Sequence, residues 1–357
     1  MEEWLSLYQS KSGERGIFNR QAAIAKAAEN GRRITQYANG NPIDFGTNPC
    51  GEILLRSKQG CNLSEIIARK DMTEAQLIEA VKNATILGTW QSTLTNFRYL
   101  TKKWKDNCEE ERLLGVSLTG MMDHEILSGK QGLGIMGELL EFLKNDIAIP
   151  TNKEWADRLG IVQSTAITCV KPSGTVSQLV HSPSGIHAWY APYFIRRVQQ
   201  DKKDPVTSLM VDQGIPHAQY EMNPETLVFE FPMKAPEGAV FRNDMTATDQ
   251  LEHWKVVRDK WCEHNPSITV YVREKEWPSV GGWVYDHFDD AGGLTFLPHS
   301  DHIYKQAPYE EIDQTKYDQL TEEMPDGIDW SRLSEYEKED NTTATHELAC
   351  TAGACEI

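Results

Sequence analysis

A cysteine and a glutamate stand two residues apart in Thr47-Asn48-Pro49-Cys50-Gly51-Glu52. In a Gly/Pro-rich loop both side chains can address one small volume, the Cys as nucleophile or radical carrier and the Glu as base or acid. Alone, the same spacing also fits a buried Cys beside a surface Glu. Cys returns at position 61, in Gly60-Cys61-Asn62-Leu63. The interval is not Cys-x-x-Cys, so neither a thioredoxin-type site nor a zinc knuckle is indicated. Near the end of the sequence, Cys350-Thr351-Ala352-Gly353-Ala354-Cys355 sets two thiols around small residues. Such a pair can close into a disulfide and reopen by thiol exchange. A short structural disulfide, or a metal pair with His346, are the other readings. Val170-Lys171-Pro172-Ser173-Gly174-Thr175-Val176-Ser177 joins a strand-like run to a hydroxyl-rich turn and a helix start. That order can cradle an anion on free N–H groups, or it is an ordinary capped turn. It is not a Walker A loop, because Gly-x-x-x-x-Gly-Lys is absent. Cys169 reads as core, and Cys108 and Cys262 as inert thiols. His181 and His187 flank Pro183-Ser184-Gly185 and either line a pocket or sit in a surface loop.

The elements that position these residues follow from periodicity and turn chemistry. Residues 1–36 read as helical, interrupted by Gly13 and Gly16. Residues 37–62 are rich in turn signals, including Asn39-Gly40, Asn41-Pro42 and Asn48-Pro49, yet Ile43, Phe45, Ile53, Leu54 and Leu55 punctuate them. A long irregular segment of this kind is functional rather than a connector. Residues 73–98 carry a helical apolar period behind a Thr73/Gln76 capping box. Residues 111–121 run from helix or strand into the turn Leu118-Thr119-Gly120, and helices are expected over 134–146, 152–160 and Trp254 to Trp261. Strands are expected over Thr165 to Val170, Tyr193 to Val198, Leu227 to Phe231 and Ile268 to Val272. Alternating strands and helices indicate an α/β class. Residues from about 310 are acidic, and Glu335 to Thr345 has no apolar period, which reads as a flexible tail.

Composition narrows the function classes. The chain has 357 residues with 36 Lys+Arg against 53 Asp+Glu, a net charge of −17. That balance opposes a general nucleic-acid binder, which needs a basic face. Hydrophobic residues are 39%, a little low for a self-sufficient domain, while ten Trp, twelve Tyr and ten Phe exclude a disordered chain. No apolar run approaches the roughly 18 residues of a membrane span, and Met1-Glu2-Glu3-Trp4 does not open a signal peptide. Seven Cys do not make a disulfide scaffold at this length. The expected compartment is the reducing cytoplasm, with Cys chemistry that is catalytic; no metal site is expected in the protein itself.

Taken together, these segments resemble ribonucleotide reductase. Asn48-Pro49-Cys50-Gly51-Glu52 is similar to its finger-loop motif, Gly60-Cys61-Asn62-Leu63 to its redox Cys, and Cys350/Cys355 to its shuttle dithiol. Ser12 to Arg20, Arg112 to Gly120, Lys171-Pro172-Ser173-Gly174-Thr175, Ser184-Gly185-Ile186-His187, Leu297-Pro298 and Gln306 to Glu311 resemble the monomeric, adenosylcobalamin-dependent class II enzymes. The resemblance implies a ten-stranded α/β barrel of two five-stranded halves, with the finger loop at its centre. It divides the chain into an N-terminal helical segment (1–36), a finger loop (37–62), a second half-barrel with a phosphate loop (63–310), and an acidic tail bearing the dithiol (311–357). It also implies the chemistry. Cobalt–carbon homolysis in adenosylcobalamin yields a radical that takes hydrogen from Cys50, and the Cys50 thiyl abstracts the ribose 3′-hydrogen. Glu52 takes the 3′-hydroxyl proton, Asn48 hydrogen-bonds the sugar, and Cys61 with a second Cys reduces the 2′-position. Lys171, Pro172, Ser173, Gly174 and Thr175 hold the substrate phosphates. Cys350 and Cys355 then reduce the active-site disulfide, and thioredoxin reduces them. The substrate is a ribonucleoside triphosphate, with a deoxynucleoside triphosphate as effector.

Only 49 residues precede Cys50, so the first half-barrel and the partner of Cys61 are expected on a separate N-terminal polypeptide. Class I enzymes carry adjacent tyrosines near the strand that here reads Ile268-Thr269-Val270-Tyr271-Val272, where one Tyr stands. Class III enzymes need a glycyl-radical segment and a four-Cys zinc site, and this tail offers two Cys. The motif Asp-x-His-x-x-Gly, which supplies an imidazole to a cobalamin, does not occur. The remaining alternatives are a class I large-subunit fragment, acting on diphosphates, and a non-catalytic regulatory half.

Overall fold

Leu114-Gly115-Val116-Ser117-Leu118-Thr119 alternates apolar with small or polar residues, the period of a strand whose two faces meet different surroundings. The computed structural model of the protein describes residues 2–10, 13, 15–299 and 305–337, with the backbone of 350–351 and 354–355. In chain order these residues form α1 (Glu2–Ser10), β1 (Gly16–Ile17), α2 (Arg20–Glu29), β2 (Gly46–Thr47), β3 (Leu54–Leu55), β4 (Asn62–Ile67), α3 (Glu74–Gln91), α4 (Lys102–Glu111), β5 (Leu114–Thr119), α5 (Leu133–Phe142), α6 (Ile149–Leu159), β6 (Thr168–Cys169), α7 (Val176–Leu179) and β7 (Tyr193–Asp201). There follow α8 (Pro205–Asp212), β8 (His217–Gln219), β9 (Thr226–Lys234), α9 (Ala247–Lys260), β10 (Thr269–Val272), α10 (Trp277–Asp286), β11 (Leu294–Pro298), β12 (Tyr309–Glu311), α11 (Gln314–Glu323), β13 (Cys350–Thr351) and β14 (Ala354–Cys355).

Strands β4, β5 and β6 are parallel neighbours, and so are β10 and β11. A parallel bridge between Val170 and Pro266 links the two groups. The result is a run of five parallel strands, β4-β5-β6-β10-β11, with the short β1 added antiparallel at its far edge. On the helix-facing side, Leu114, Val116, Leu118, Val170, Ile268, Val270 and Val272 join one buried core with Leu77, Val81, Leu140, Leu251, Trp254 and Val257. The other side is polar: Ser117, Thr119 and Glu65 all make hydrogen bonds there. A face of that kind is costly unless it serves polar partners.

Several elements differ instructively from the sequence expectations. The helical segment 1–36 is split by β1, because Gly16 brings the chain against Leu294 and Thr295 as a strand. The two helices expected over 134–160 are one continuous rod, joined by a π-helical stretch, Leu143–Ala148. Pro150 lies just beyond it, and a proline in a helical run lacks the N–H and crowds the preceding turn. The capping box of Thr73 and Gln76 forms as expected at the start of α3. The strand expected over Thr165 to Val170 is reduced to β6, since Ser164 and Thr165 are held instead by Asn152 and the Glu111 carbonyl.

A second sheet, antiparallel in the order β12-β7-β9-β8, follows the parallel run. The acidic stretch from 311 onward begins folded. Strand β12 pairs with β7, α11 starts at the Asp313 cap, and Asp329 exchanges hydrogen bonds with Gln213 at the end of α8. The polar run 338–349 lies outside the described residues. Among the described residues no helix is long and apolar enough to cross a membrane.

Candidate active site

Residues 46–55 form a hairpin on β2 and β3, with Cys50 in the turn. The turn closes by local rules: Asn48 Oδ1 accepts from the Ile53 N–H at 3.0 Å, and Gly51 N–H donates to the Asn48 carbonyl at 3.0 Å. Gly51 has φ +80°, a conformation that a side chain resists. The base of the hairpin is anchored by Phe45 and Leu54, which pack with Ala23 and Ala27 on α2 and with Ile43. Ile53 reaches down to β5, where Gly115 makes room for it. A Cβ at Gly115 would lie 2.4 Å from Leu63 and 3.0 Å from Ile53.

The segment His264-Asn265-Pro266-Ser267, just before β10, clamps the hairpin to the sheet. Ser267 Oγ donates to the Cys50 carbonyl at 2.5 Å, and Asn265 Nδ2 to the Gly51 carbonyl at 3.0 Å. Asn265 N–H donates to the Glu52 carbonyl at 3.1 Å. His264 Nδ1 accepts from Leu54 N–H at 3.3 Å, so Nε2 carries the proton and donates to the Leu114 carbonyl at 3.0 Å. Burial holds this imidazole neutral, with its pKa lowered to about 3. These clamp residues escaped the motif reading, although the Asn265-Pro266 turn dipeptide ahead of an apolar strand was a usable mark.

The Glu52 side chain is fully buried. Its Oε1 receives Lys171 Nζ at 3.3 Å, and its Oε2 has no hydrogen-bond partner among the described residues. Buried carboxylate oxygens are rarely left open. Burial works against charging Lys171, but Glu52 and Cys50 outweigh it and raise the ammonium above its ordinary value. Cys169, expected as core, is buried on β6 with its thiol pushed up by burial and then by Glu52. Its sulfur lies near Gly115, under the hairpin.

Cys61 precedes β4 at the end nearest the hairpin. Burial pushes its thiol well above the usual range, opposed by Arg33 and reinforced by Glu52. The loop that delivers it is held by a buried ionic network. Arg33 and Glu111, both with buried side chains, pair at 3.0 Å, and Arg33 lies 4.6 Å over the Phe45 ring. Gln59 Nε2 donates to Glu111, and Gln59 Oε1 accepts from Arg33 and from the Arg56 N–H. Cys108 Sγ accepts from the Gly60 N–H at 3.4 Å, so it flanks the same loop.

At the loop Lys171 to Thr175, the Lys171 N–H donates to Ser117 Oγ at 2.8 Å and turns its side chain toward Glu52. Ser173 Oγ donates to Glu65 at 3.0 Å. The helix that follows, α7, has four residues, so any anion cradle here rests on the turn rather than on a helix dipole. His187 is a buried link, not a surface loop residue. Its Nε2 accepts from Thr269 N–H at 3.0 Å and its Nδ1 donates to the Ser184 carbonyl at 2.9 Å, with the pKa lowered by burial to about 4. Strands β13 and β14 pair so that position 350 faces 355. The side chains of Cys350 and Cys355 lie outside the described residues. Among the described residues, then, the fold gathers Asn48, Cys50, Glu52, Cys61 and Lys171 around one polar face, with Ser173 on the same face at Glu65.

No family model matches the chain. Curated relatives do. The adenosylcobalamin-dependent ribonucleoside-triphosphate reductase of Levilactobacillus brevis is 24% identical over 97% of this chain and 49% of its own length. That of Lacticaseibacillus paracasei is 25% identical over 99% and 50%. A probable enzyme of the same name from Dictyostelium discoideum is 27% identical over 88% and 40%. A solved B12-dependent class II ribonucleotide reductase superposes with a TM-score of 0.71 at 19% identity, over 95% of this chain and 50% of that one. The class Id α subunit of Actinobacillus ureae gives 0.58 at 14% identity. The chain spans about half the length of the curated relatives it matches. The chain is similar to the adenosylcobalamin-dependent ribonucleoside-triphosphate reductases over about half of their length, and its α/β fold is that of the class II ribonucleotide reductase barrel.

Proposed function

We propose that this chain is the substrate-reducing half of an adenosylcobalamin-dependent ribonucleoside-triphosphate reductase. One observation carries the reading: the hairpin fixes a half-buried thiol, Cys50, two residues from a buried carboxylate, Glu52, whose second oxygen has no hydrogen-bond partner among the described residues. Adenosylcobalamin, when bound, supplies the one-electron chemistry that removes hydrogen from Cys50. Cys50 suits that role, because a bulky group can approach a thiol at the hairpin tip, whereas Cys169 is sealed beneath it. The Cys50 thiyl takes the ribose 3′-hydrogen, and Glu52 Oε2 takes the 3′-hydroxyl proton. Asn48 commits its carbonyl oxygen to the turn, which leaves its amide N–H₂ for the sugar. The 2′-hydroxyl leaves as water and a hydrogen replaces it while two thiols lose two hydrogens and become a disulfide, after which Cys50 returns the 3′-hydrogen and Glu52 the 3′-hydroxyl proton. Burial keeps Cys61 protonated, which suits a hydrogen donor.

Lys171, Pro172, Ser173, Gly174 and Thr175 form the loop that takes the triphosphate. The partner of Cys61 comes from a complementary N-terminal half. The outer edge of β4 is the natural seat for that half, since β4 ends its sheet and an open parallel edge needs covering. Cys350 and Cys355 re-reduce the disulfide and thioredoxin reduces them. A deoxynucleoside triphosphate acts as effector, and the site of action is the cytoplasm.

The test is reconstitution with the complementary half, adenosylcobalamin, a ribonucleoside triphosphate and the thioredoxin system. Deoxynucleotide should form, and Cys50→Ser should abolish it. Turnover unchanged by Cys50→Ser assigns the chain a non-catalytic role. Dependence on an iron-containing second subunit assigns it to class I. Cys350→Ser should stop thioredoxin-driven turnover and spare turnover with a small dithiol.

A further inference from the structure

Glu52 presents an electrostatic problem that the hairpin alone does not solve. A carboxylate with no solvent exposure stays ionised only if a cation or several donors stand beside it. The groups that face it can be named from each element packed around it. From the hairpin there is Cys50, from the approach to β4 Cys61, from β6 Cys169, and from the loop after β6 Lys171. The clamp segment contributes His264, which is neutral, and Asn265, which binds backbone. Lys171 is therefore the one cation among the described residues within ion-pair distance of Glu52.

Its contact is one-sided. Nζ lies 3.3 Å from Oε1, and the buried Oε2 has no hydrogen-bond partner among the described residues. The side chain of Lys171 is about one-third exposed, so its ammonium straddles the boundary between the buried carboxylate and the open face. The backbone fixes that placement, because Lys171 N–H is tied to Ser117 Oγ on the neighbouring strand. A lysine suits this geometry and an arginine does not. An ammonium is a point charge that can satisfy one oxygen, whereas a guanidinium forks across both.

We propose that Lys171, placed by sequence resemblance among the phosphate-binding residues, is the positioning residue for Glu52: it grips Oε1, holds the carboxylate ionised, and leaves Oε2 as the atom that receives the sugar proton. This rests on the reading of Glu52 as the base. The step it supports is a proton transfer only. The 3′-oxygen–hydrogen bond breaks, an Oε2–hydrogen bond forms, no electrons change hands, and Lys171 keeps its three protons throughout.

The experiment is an infrared titration of the carboxyl groups, made on the chain alone and on its complex with the complementary half. Glu52→Gln identifies the Glu52 band by its loss. In Lys171→Met the Glu52 titration should move upward by about one pH unit or more. Lys171→Arg should return it toward the wild-type position yet fail to restore turnover, because the fork occupies Oε2. A Glu52 titration unmoved in Lys171→Met overturns the proposal, as does full turnover in Lys171→Arg. Lys171→Gln, which keeps length and a donor without charge, serves in place of Met should that variant not fold, with the same shift expected. The two readings fail separately. Turnover surviving Glu52→Gln sinks the base assignment, whereas a Glu52-dependent enzyme with an unmoved titration sinks the Lys171 assignment alone.

Discussion

Two buried charges in this molecule are treated in opposite ways. In the antiparallel sheet, Arg197 engages all three of its guanidinium nitrogens. Nε donates to Glu230 at 2.6 Å, Nη2 to Glu310 at 2.5 Å and Nη1 to the Ala307 carbonyl at 3.1 Å. It fastens β7 to β9 and to β12 through every nitrogen it has. At the hairpin, Glu52 is hidden from water more completely but has one ionic contact and one oxygen with no hydrogen-bond partner among the described residues. A fully satisfied charge is a fastener. A half-satisfied one holds binding capacity in reserve, at a cost in stability that only function explains.

Changes at the two sites should therefore separate activity from stability. Glu52→Gln carries the largest expected effect, a loss of about 10²–10⁴ in single-turnover reduction, with an unfolding midpoint that does not fall. A large drop in that midpoint would make Glu52 a fastener like Arg197. Glu111→Ala, which strands Arg33 and Arg56 without their shared partner, should cost about 3–5 kcal/mol in urea unfolding. Arg197→Met should cost less, about 1–3 kcal/mol, since its carboxylate partners are nearer to solvent. At a temperature where it stays folded it should bind nucleotide normally.

Acid should act through two buried histidines, His264 in the clamp and His187 beside β10. His264 and His187 have folded pKa values lowered by burial to about 3 and about 4. The unfolded imidazole takes a proton near pH 6.5. Below that pH the unfolded state binds more protons, so stability is complete above about 6.5 and falls as pH drops toward the folded values. Each histidine contributes a slope of about 1.4 kcal/mol per pH unit within its window. Urea midpoints measured from pH 7 to pH 4 should show that fall, and His187→Gln should flatten it. The smallest effect is Thr73→Ala, which removes a capping box far from the hairpin. It should cost about 1 kcal/mol and leave turnover unchanged; lost activity there would tie the α3 cap to the site.

Much of the fold was legible because its cues are local. The Thr73/Gln76 box and the turn residues of 37–62 each depend on neighbours in the chain, whereas residues 111–121 fitted helix or strand alike, and the turn expected at Leu118-Thr119 is the end of β5. Strand β1 was not legible, since two residues have no period and pairing with β11 joins positions almost 280 residues apart. The π-helical joint was hidden for a related reason. A proline marks a break by local rules, and only packing decides whether the rod ends or adjusts its register.

The site divides along the same line. Sequence determined that a thiol, a carboxylate and an asparagine share one turn, because Asn48, Cys50 and Glu52 are bound by the chain itself. It also determined the return of Cys61 and the hydroxyl-rich loop at 173–175. Tertiary structure alone decided that Lys171 serves Glu52, that His264, Asn265 and Ser267 pin the hairpin, and that Arg33 and Glu111 steady the approach to Cys61. Burial and ionic pairing depend on distances through space, and residues 119 positions apart acquire a 3.3 Å contact only when the sheet forms beneath them.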